Sequence, residues 1–332
     1  MTRIFSGIKP TGHMTLGNYL GALRQWAEKD QHRADSLFCV VDLHALTVDH
    51  DPARLRRLSR QGATLLLAAG LDPEVCSVFL QSHVDEHARL SYVMECVASD
   101  GEMRRMIQYK EKSVRAQASG QSVRLSLLTY PALMAADILI YGADEVPVGE
   151  DQAQHVELTR DLAERFNHRY GHTFVVPRAV LPTVAARVMD LQDPTAKMGK
   201  SHAATAGIIY LLDEPDVMAK KIRRAVTDSR ADVTYEPEER PGVANLLEIL
   251  SACTGKEPAA LADGYEGSGA LKADVAEAVV ELLRPLQARH SELCADPGYV
   301  DGVLREGAAR ARAIARPTVD AAYRAIGLLP PA

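Results

Sequence analysis

The chain has 332 residues, 47% of them hydrophobic and 25% charged, with a formal net charge of −6 at pH 7. This length is about twice that of a usual ~150-residue domain and predicts two domains with a sizeable core. The composition disfavours a disordered or fibrous protein. The acidic balance disfavours indiscriminate nucleic-acid binding, although local arginine and lysine clusters leave an RNA partner open.

Neither a membrane span nor a secretion signal is predicted, because no apolar run approaches ~20 residues and the first residues lack a basic segment followed by an apolar one. The five cysteines, Cys39, Cys76, Cys96, Cys253 and Cys294, are scattered without a C-x-x-C pair. This pattern predicts buried thiols in a reducing compartment, without disulfides or a structural metal. We therefore expect a cytoplasmic protein.

Three short apolar runs, at residues 3–8, 36–41 and 77–82, are predicted to be strands. A helix is expected from about Thr15, and another over the periodic run RLRRLSRQGATLLLAAG that stops at Gly70. Strands that alternate with helices indicate a Rossmann-like α/β fold, a doubly wound parallel sheet covered on both faces.

Ligands of such sheets bind beyond the carboxyl ends of the strands. The segment after Ile8, the turn at His44 and the VPVGEDQ turn at 146–152 are therefore expected around one site.

The segment LTYPALMAADILIYG predicts a helix that starts with Thr129 as cap and Pro131 in the first turn. Tyr130, Met134 and Asp137 then lie along one side of it. A buried Asp137 needs a hydrogen-bond donor. A ligand N–H and a cation from a neighbouring helix are both possible.

From Asp213 onward the sequence is almost entirely of helical pattern. We place a domain boundary near Ser201, with a catalytic domain over 1–201 and an all-helical domain over 202–332.

Two short motifs carry candidate chemistry. TLGN, Thr15 to Asn18, follows a glycine-punctuated turn of the kind that receives an anion or a flat ring. KMGKS, Lys197 to Ser201, places two lysines on a loop. Taken separately, the first is equally explained as a capped helix and the second as a solvated loop.

Together the two motifs resemble the H-I-G-H and K-M-S-K-S signatures of class I aminoacyl-tRNA synthetases. The segments IFSGIKPTG, FCVVDLHALTV, LTYPALMAADILIYG, VPVGEDQAQHVELTRDLAERFN and AVTDS extend the resemblance to bacterial tryptophanyl-tRNA synthetases over the whole length. The resemblance implies activation of L-tryptophan by ATP, with Mg²⁺, and transfer of tryptophan to tRNA(Trp). It also implies a homodimer and an anticodon-binding role for the helical domain.

The resemblance assigns site residues by position. Catalytic roles are implied for Thr15, Asn18, Lys112, Lys197 and Lys200. ATP contacts are implied for Lys9, Pro10, Thr11, Gly17, Asn18, Gly149, Glu150, Asp151, Val188, Lys197, Met198, Gly199, Lys200 and Ser201. Tryptophan contacts are implied for Phe5, Gly7, His44, Gln108, Tyr130, Met134, Asp137 and Gln152, with Asp137 accepting from the indole N–H. For Lys112 an exposed charge, and for His44 a structural histidine, are nearly as plausible.

Two positions depart from the family pattern. Gly199 replaces the middle serine of the lysine loop and loosens its backbone. Lys9 stands where many family members have glutamine, and we hypothesise that its charge alters affinity for ATP or tryptophan analogues.

Two alternative functions stay open at this point. Tyrosine-activating relatives share the fold and signatures but usually carry glutamine at the position of Met134, so the methionine favours tryptophan. A synthetase-like copy that binds ligands without charging tRNA is disfavoured by the retained Thr15, Asn18, Lys197, Lys200 and C-terminal region.

Overall fold

A computed structural model describes residues 3–33, 35–180, 188–199 and 205–329, apart from the side chains of Glu150 and Asp151. The boundary predicted near Ser201 falls in the gap at 200–204. In the described part of the chain, no helix is long and apolar enough to cross a membrane.

In the described ranges, five short parallel strands form the central layer. They are β1 (Phe5–Ile8), β2 (Leu37–Val40), β3 (Ser77–Leu80), β4 (Glu145–Pro147) and β5 (Arg178–Val180). β2 pairs with both β1 and β3, β4 pairs with β5, and a parallel bridge from Ile4 to Glu145 joins the two sets. The resulting order, β3-β2-β1-β4-β5, reverses direction between β1 and β4 and confirms the predicted Rossmann-like fold.

Helices connect and cover the strands. Those up to residue 170 are α1 (Leu16–Asn18), α2 (Arg24–Glu28), α3 (Asp42–Ala45), α4 (Pro52–Ala68), α5 (Glu86–Val97), α6 (Asp100–Arg105), α7 (Ile107–Ala118), α8 (Leu125–Leu139) and α9 (Glu150–Tyr170). A π-helical turn, Tyr19–Leu23, joins α1 to α2. The later helices are α10 (Pro215–Arg223), α11 (Pro241–Thr254), α12 (Pro258–Ala262), α13 (Ser268–Ala295) and α14 (Pro297–Ala325).

The start predicted for the helix that carries Asp137 is wrong. α8 begins at Leu125, four residues before Thr129, and Pro131 lies inside it. An interior proline costs about 3 kcal/mol because it removes a backbone hydrogen bond. Burial of Leu127 and Tyr130 in the same helix offsets that cost.

The C-terminal helices share the core of the sheet. One hydrophobic cluster runs from Ile8 and Phe38 to residues of α10–α14, and a second joins Phe5 and Phe79 to the later part of α14. α14 crosses β3 at Gly307, where a Cβ atom would lie 2.0 Å from the carbonyl oxygen of Val78. Only glycine permits this approach.

The prediction of uniformly buried cysteines is wrong for two of the five. Cys39 and Cys76 are buried, Cys253 is half-buried, but Cys96 and Cys294 are exposed. The two exposed thiols lie near the carboxyl ends of α5 and α13, outside the residues that these helices bury. All five are free thiols, and burial raises the pKa of Cys76 to about 12.

Candidate active site

A cavity of about 360 Å³ lies where the strand order reverses, beyond the carboxyl ends of β1 and β4. Apolar walls and a few converging polar groups line it, which is typical of a small-molecule site. The lining residues are Phe5, Ser6, Gly7, Ile8, Lys9, Asn18, Val41, His44, Thr47, Gln108, Lys112, Tyr130, Met134, Asp137, Ile138, Val146, Pro147, Val148 and Gln152.

The carboxylate of Asp137 lies deep in this cavity and accepts three hydrogen bonds. Nε2 of His44 donates to Oδ2 at 2.7 Å. Oδ1 accepts from Nε2 of Gln81 at 2.8 Å and from Nδ1 of His87 at 2.6 Å. The observed partners are thus two histidines and a glutamine, and neither a lysine nor an arginine is among them.

These partners keep the buried carboxylate charged. Burial alone would raise the pKa of Asp137, but His87 and His44 beside it hold the pKa below its ordinary value. With Nδ1 as donor, His87 accepts from the Tyr141 hydroxyl through Nε2, at 2.8 Å.

One acceptor position on Asp137 remains. An ionised carboxylate has about four lone-pair sites, of which Oδ1 uses two and Oδ2 one. Because Asp137 also lines the cavity, the fourth position on Oδ2 suits a ligand N–H. The partner network and the predicted ligand contact are thus compatible.

Aromatic packing fixes one wall of the cavity. Phe5 stacks on Tyr141, with ring centroids 5.4 Å apart and an interplanar angle of 21°. Met134, Val146 and Val148 supply further apolar surface. This wall suits a flat ring, as predicted for Phe5 and Met134.

Two lysines add positive charge to the same cavity. Nζ of Lys9 donates to Oγ1 of Thr47 at 3.0 Å. Burial, and then the nearby charge of Lys112, lower the pKa of Lys9 to about 8. Lys112 donates to Oε1 of Gln108 at 2.7 Å, and its ammonium lies 5.4 Å from the ring centre of Tyr130. The cavity therefore combines an acceptor for a ligand N–H with cations for anionic groups.

The TLGN motif forms the start of α1. Oγ1 of Thr15 accepts from the N–H of Asn18 at 3.3 Å, while Oδ1 of Asn18 accepts from the N–H of Thr15 at 3.0 Å. This reciprocal cap accounts for both side chains. Asn18 also lines the cavity, whereas Thr15 is fully buried outside the lining.

The described part of the lysine loop is the end of a hairpin. The N–H of Met198 donates to the carbonyl of Val188 at 3.0 Å, and Asp190 donates to Ala196 at 2.8 Å. A Cβ atom on Gly17 would lie 3.5 Å from the carbonyl oxygen of Met198, so the hairpin packs directly against α1. Lys197 is exposed. Lys200 and Ser201 lie outside the described residues.

Four further predicted ATP ligands lie outside the cavity lining, namely Pro10, Thr11, Gly149 and Val188. Gly149 is the N-cap of α9, and its carbonyl accepts from the N–H of Gln152, whose side chain lines the cavity. Pro10 and Thr11 lie in the loop from β1 to α1, and Val188 is a buried residue of the hairpin itself.

The structure brings together every predicted tryptophan contact, together with Lys9, Asn18 and Lys112. Sequence reasoning missed Gln81 and His87, the fully buried donors to Asp137. Gln81 follows β3 at its carboxyl end, which is the one signal that could have indicated it. His87 lies on α5, away from any motif. Within the described ranges, no cluster of three His, Cys, Asp or Glu could hold a metal.

Comparison with known proteins bears directly on this arrangement. A family model described as "tRNA synthetases class I (W and Y)" matches residues 1–284. The chain is 78% identical to Tryptophan–tRNA ligase 1 of Streptomyces coelicolor over 331 residues, covering 100% of this chain and 98% of that protein. The chain belongs to the bacterial tryptophanyl-tRNA synthetases. The family prediction is confirmed.

Solved structures agree with this membership. The tryptophanyl-tRNA synthetase of Mycoplasma pneumoniae superposes with a TM-score of 0.92 at 38% identity, covering 99% of this chain and 98% of that one. The enzyme of Campylobacter jejuni, solved with ADP and tryptophan, gives a TM-score of 0.83 at 31% identity, covering 98% and 100%. This family is the one expected from Met134 and Asp137.

Proposed function

We infer that the protein is an ATP-dependent tryptophan–tRNA ligase. It joins L-tryptophan to AMP, releases pyrophosphate, and then transfers tryptophan to tRNA(Trp). The observation that carries this function is the buried carboxylate of Asp137, which lines the cavity beside an apolar slot formed by Phe5 and Met134. It accepts from three side chains, which leaves one lone-pair position on Oδ2 for a ligand donor.

Selection of tryptophan follows from that position. The indole N–H is a donor only and meets the fourth acceptor position on Asp137. Phenylalanine would leave the position empty, and sites built around such a hydrogen bond reject analogues that lack it. His44, Gln81 and His87 keep the carboxylate oriented and ionised.

Activation forms a bond between a tryptophan carboxylate oxygen and the α-phosphorus of ATP, while the bond to the β-phosphate oxygen breaks and pyrophosphate leaves. No covalent bond to the protein is needed, so positioning and electrostatic stabilisation provide catalysis. We assign the cations to Lys9, Lys112 and the loop lysines Lys197 and Lys200. Lys197 and Lys200 would stabilise the charge that grows on pyrophosphate.

We further propose that Gly149 and Asp151 hold the ATP ribose, that Gly17 and Val188 border the adenine, and that Gln152 meets the ammonium of tryptophan. Pro10, Thr11, Glu150, Met198, Gly199 and Ser201 complete the ATP contacts. Mg²⁺ enters with the triphosphate, since Mg²⁺ commonly binds through substrate phosphates.

The helical part, over residues 202–332, is proposed to bind the anticodon of tRNA(Trp), and the protein to act in the cytoplasm, where tRNA is charged. Thr15 supports the site through its cap on α1.

A homodimer is proposed from the surface of α7. This helix has no buried residue, although Gln108 and Lys112 project from it into the cavity. Large apolar side chains lie exposed on α5, α7 and the start of α8, namely Tyr92, Ile107, Val114 and Leu125. A second copy that covers them would also hold α7 over the cavity. Sedimentation should give twice the monomer mass.

The deciding experiment is exchange of labelled pyrophosphate into ATP with tryptophan, tyrosine and phenylalanine compared in parallel. Exchange with tryptophan alone, followed by charging of tRNA(Trp), is expected. Exchange with tyrosine, or with none of the three, would overturn the proposal.

A further inference from the structure

The hairpin that carries Lys197 is held at its base by one side chain of α11. Asn245 is 3% exposed. Its Oδ1 accepts from the N–H of Met189 at 2.9 Å, and its Nδ2 donates to the carbonyl of the same residue at 3.1 Å. Asn245 thus satisfies both backbone groups of Met189.

Those backbone groups cannot bond within the hairpin. Hydrogen bonds from Asp190 to Ala196 and from Met198 to Val188 flank the Met189–Lys197 bridge. Met189 and Lys197 therefore form a non-hydrogen-bonded antiparallel pair, whose N–H and C=O groups point away from the partner strand. Asn245 takes the place that a third strand would occupy.

We propose that Asn245 is a positioning residue for the activation step, acting through Lys197. It fixes Met189, Met189 lies directly opposite Lys197, and the next residue, Met198, abuts α1 at Gly17. The amide therefore sets where the loop cation stands relative to the site. This inference rests on the proposed function.

Two further contacts guide the choice of variant. Val226 donates to the carbonyl of Leu191 at 2.7 Å, and Gln192 donates to the carbonyl of Arg224 at 2.8 Å. Because these bonds hold the turn of the hairpin, Asn245→Ala should leave the hairpin attached but free to shift at Met189. A shift of about 1 Å can cost up to ~100-fold in rate.

The first test compares Asn245→Ala with the matched control Asn167→Ala. Asn167 makes the same kind of bonds, to the backbone of Thr173 and Phe174, away from the site. Asn245→Ala should lower kcat of pyrophosphate exchange about 10- to 100-fold. The dissociation constant for tryptophan should stay unchanged by equilibrium dialysis. The control should keep the wild-type kcat, and equal kcat values in both variants would overturn the proposal.

A double-mutant cycle tests whether the effect passes through Lys197. In a Lys197→Ala background, Asn245→Ala should cost less than about 2-fold, because the cation that it positions is gone. A full, additive loss in that background would mean that Asn245 serves stability alone.

Asn245→Asp gives a test that leaves no empty space at position 245, unlike the alanine variant. Aspartate has nearly the size of asparagine, and at pH 7 its ionised carboxylate still accepts from the N–H of Met189 but cannot donate to the carbonyl of Met189. Its kcat should therefore fall about 10- to 100-fold, as for Asn245→Ala, and a wild-type kcat would count against the proposal. Wild type without exchange activity would instead remove the proposed function itself.

Discussion

The tryptophan slot and the lysine hairpin are held in opposite ways. In the slot, the acidic group itself is buried and accepts three side-chain hydrogen bonds within one packed cluster. In the hairpin, backbone bonds, Asn245 and the contacts at the turn hold the main chain, while the side chain of Lys197 stays exposed. The difference teaches that the acceptor proposed for the amino acid is preorganised, whereas the bonds of the hairpin fix the backbone of Lys197 and leave its side chain exposed.

The largest expected effect comes from removing the charge in the slot. Asp137→Asn replaces an acceptor by an amide whose N–H₂ meets other donors, so at least two charged hydrogen bonds are lost at about 1.5–3 kcal/mol each. We expect kcat/KM for tryptophan to fall about 1,000-fold in pyrophosphate exchange. Asp274→Asn, which alters an exposed carboxylate bonded to Tyr265, is the control. A similar loss in both variants would contradict the role of the slot.

A substitution in the hairpin should change kcat and leave the binding of tryptophan unaltered. Because Lys197 is proposed to stabilise the charge on the departing pyrophosphate, Lys197→Ala should lower kcat about 100-fold. The dissociation constant for tryptophan should not change. Lys220→Ala, an exposed lysine on α10, should keep the wild-type rate. Weaker tryptophan binding in the Lys197 variant would erase the distinction between the two regions.

A subtler change in the slot concerns its apolar wall. Met134→Gln places an amide where the indole packs, and a polar group buried without a partner costs about 1–3 kcal/mol. The kcat/KM for tryptophan should fall about 10-fold, measured beside tyrosine in the same exchange assay. Met134→Leu preserves volume and polarity and should lose far less. Equal losses of kcat/KM in Met134→Gln and Met134→Leu would mean that the shape of the side chain at this position, and not its polarity, determines the use of tryptophan.

The smallest expected effect concerns Lys9, which lines the same cavity as Asp137 and is proposed to attract the phosphates of ATP. A lysine whose pKa is lowered to about 8 is charged below that pH and loses its charge as pH rises through it. If the charge attracts phosphates, KM for ATP should rise about 3-fold between pH 7 and 9. Lys9→Arg should flatten this rise because arginine stays charged. Lys9→Gln should raise KM at pH 7. If KM for ATP changed with pH in the same way in wild type, Lys9→Arg and Lys9→Gln, the charge of Lys9 would have no part in binding ATP.

The sequence predicted β1, β2 and β3 because apolar runs are local patterns, whereas β5 was not predicted, and the resemblance to the family supplied most of the residues that share the cavity. Apolar runs located β1, β2 and β3, and polar residues just after them marked the edge where ligands bind. Local sequence patterns did not predict the start of α8 correctly. Local rules place proline in the first turn, but burial of Leu127 extends the helix through Pro131.

By itself, then, the sequence determined the family and the α/β order of the first elements, and its resemblance to the family supplied the side chains proposed to meet the substrates, since the motifs that carry the resemblance are short continuous segments. Tertiary structure decided that Asp137 stays charged and that the lysine hairpin has a fixed base. The residues responsible, Gln81, His87 and Asn245, lie about 50 residues or more from the groups they hold. Such hydrogen bonds exist only after the helices pack on the sheet, and no period in the sequence marks them.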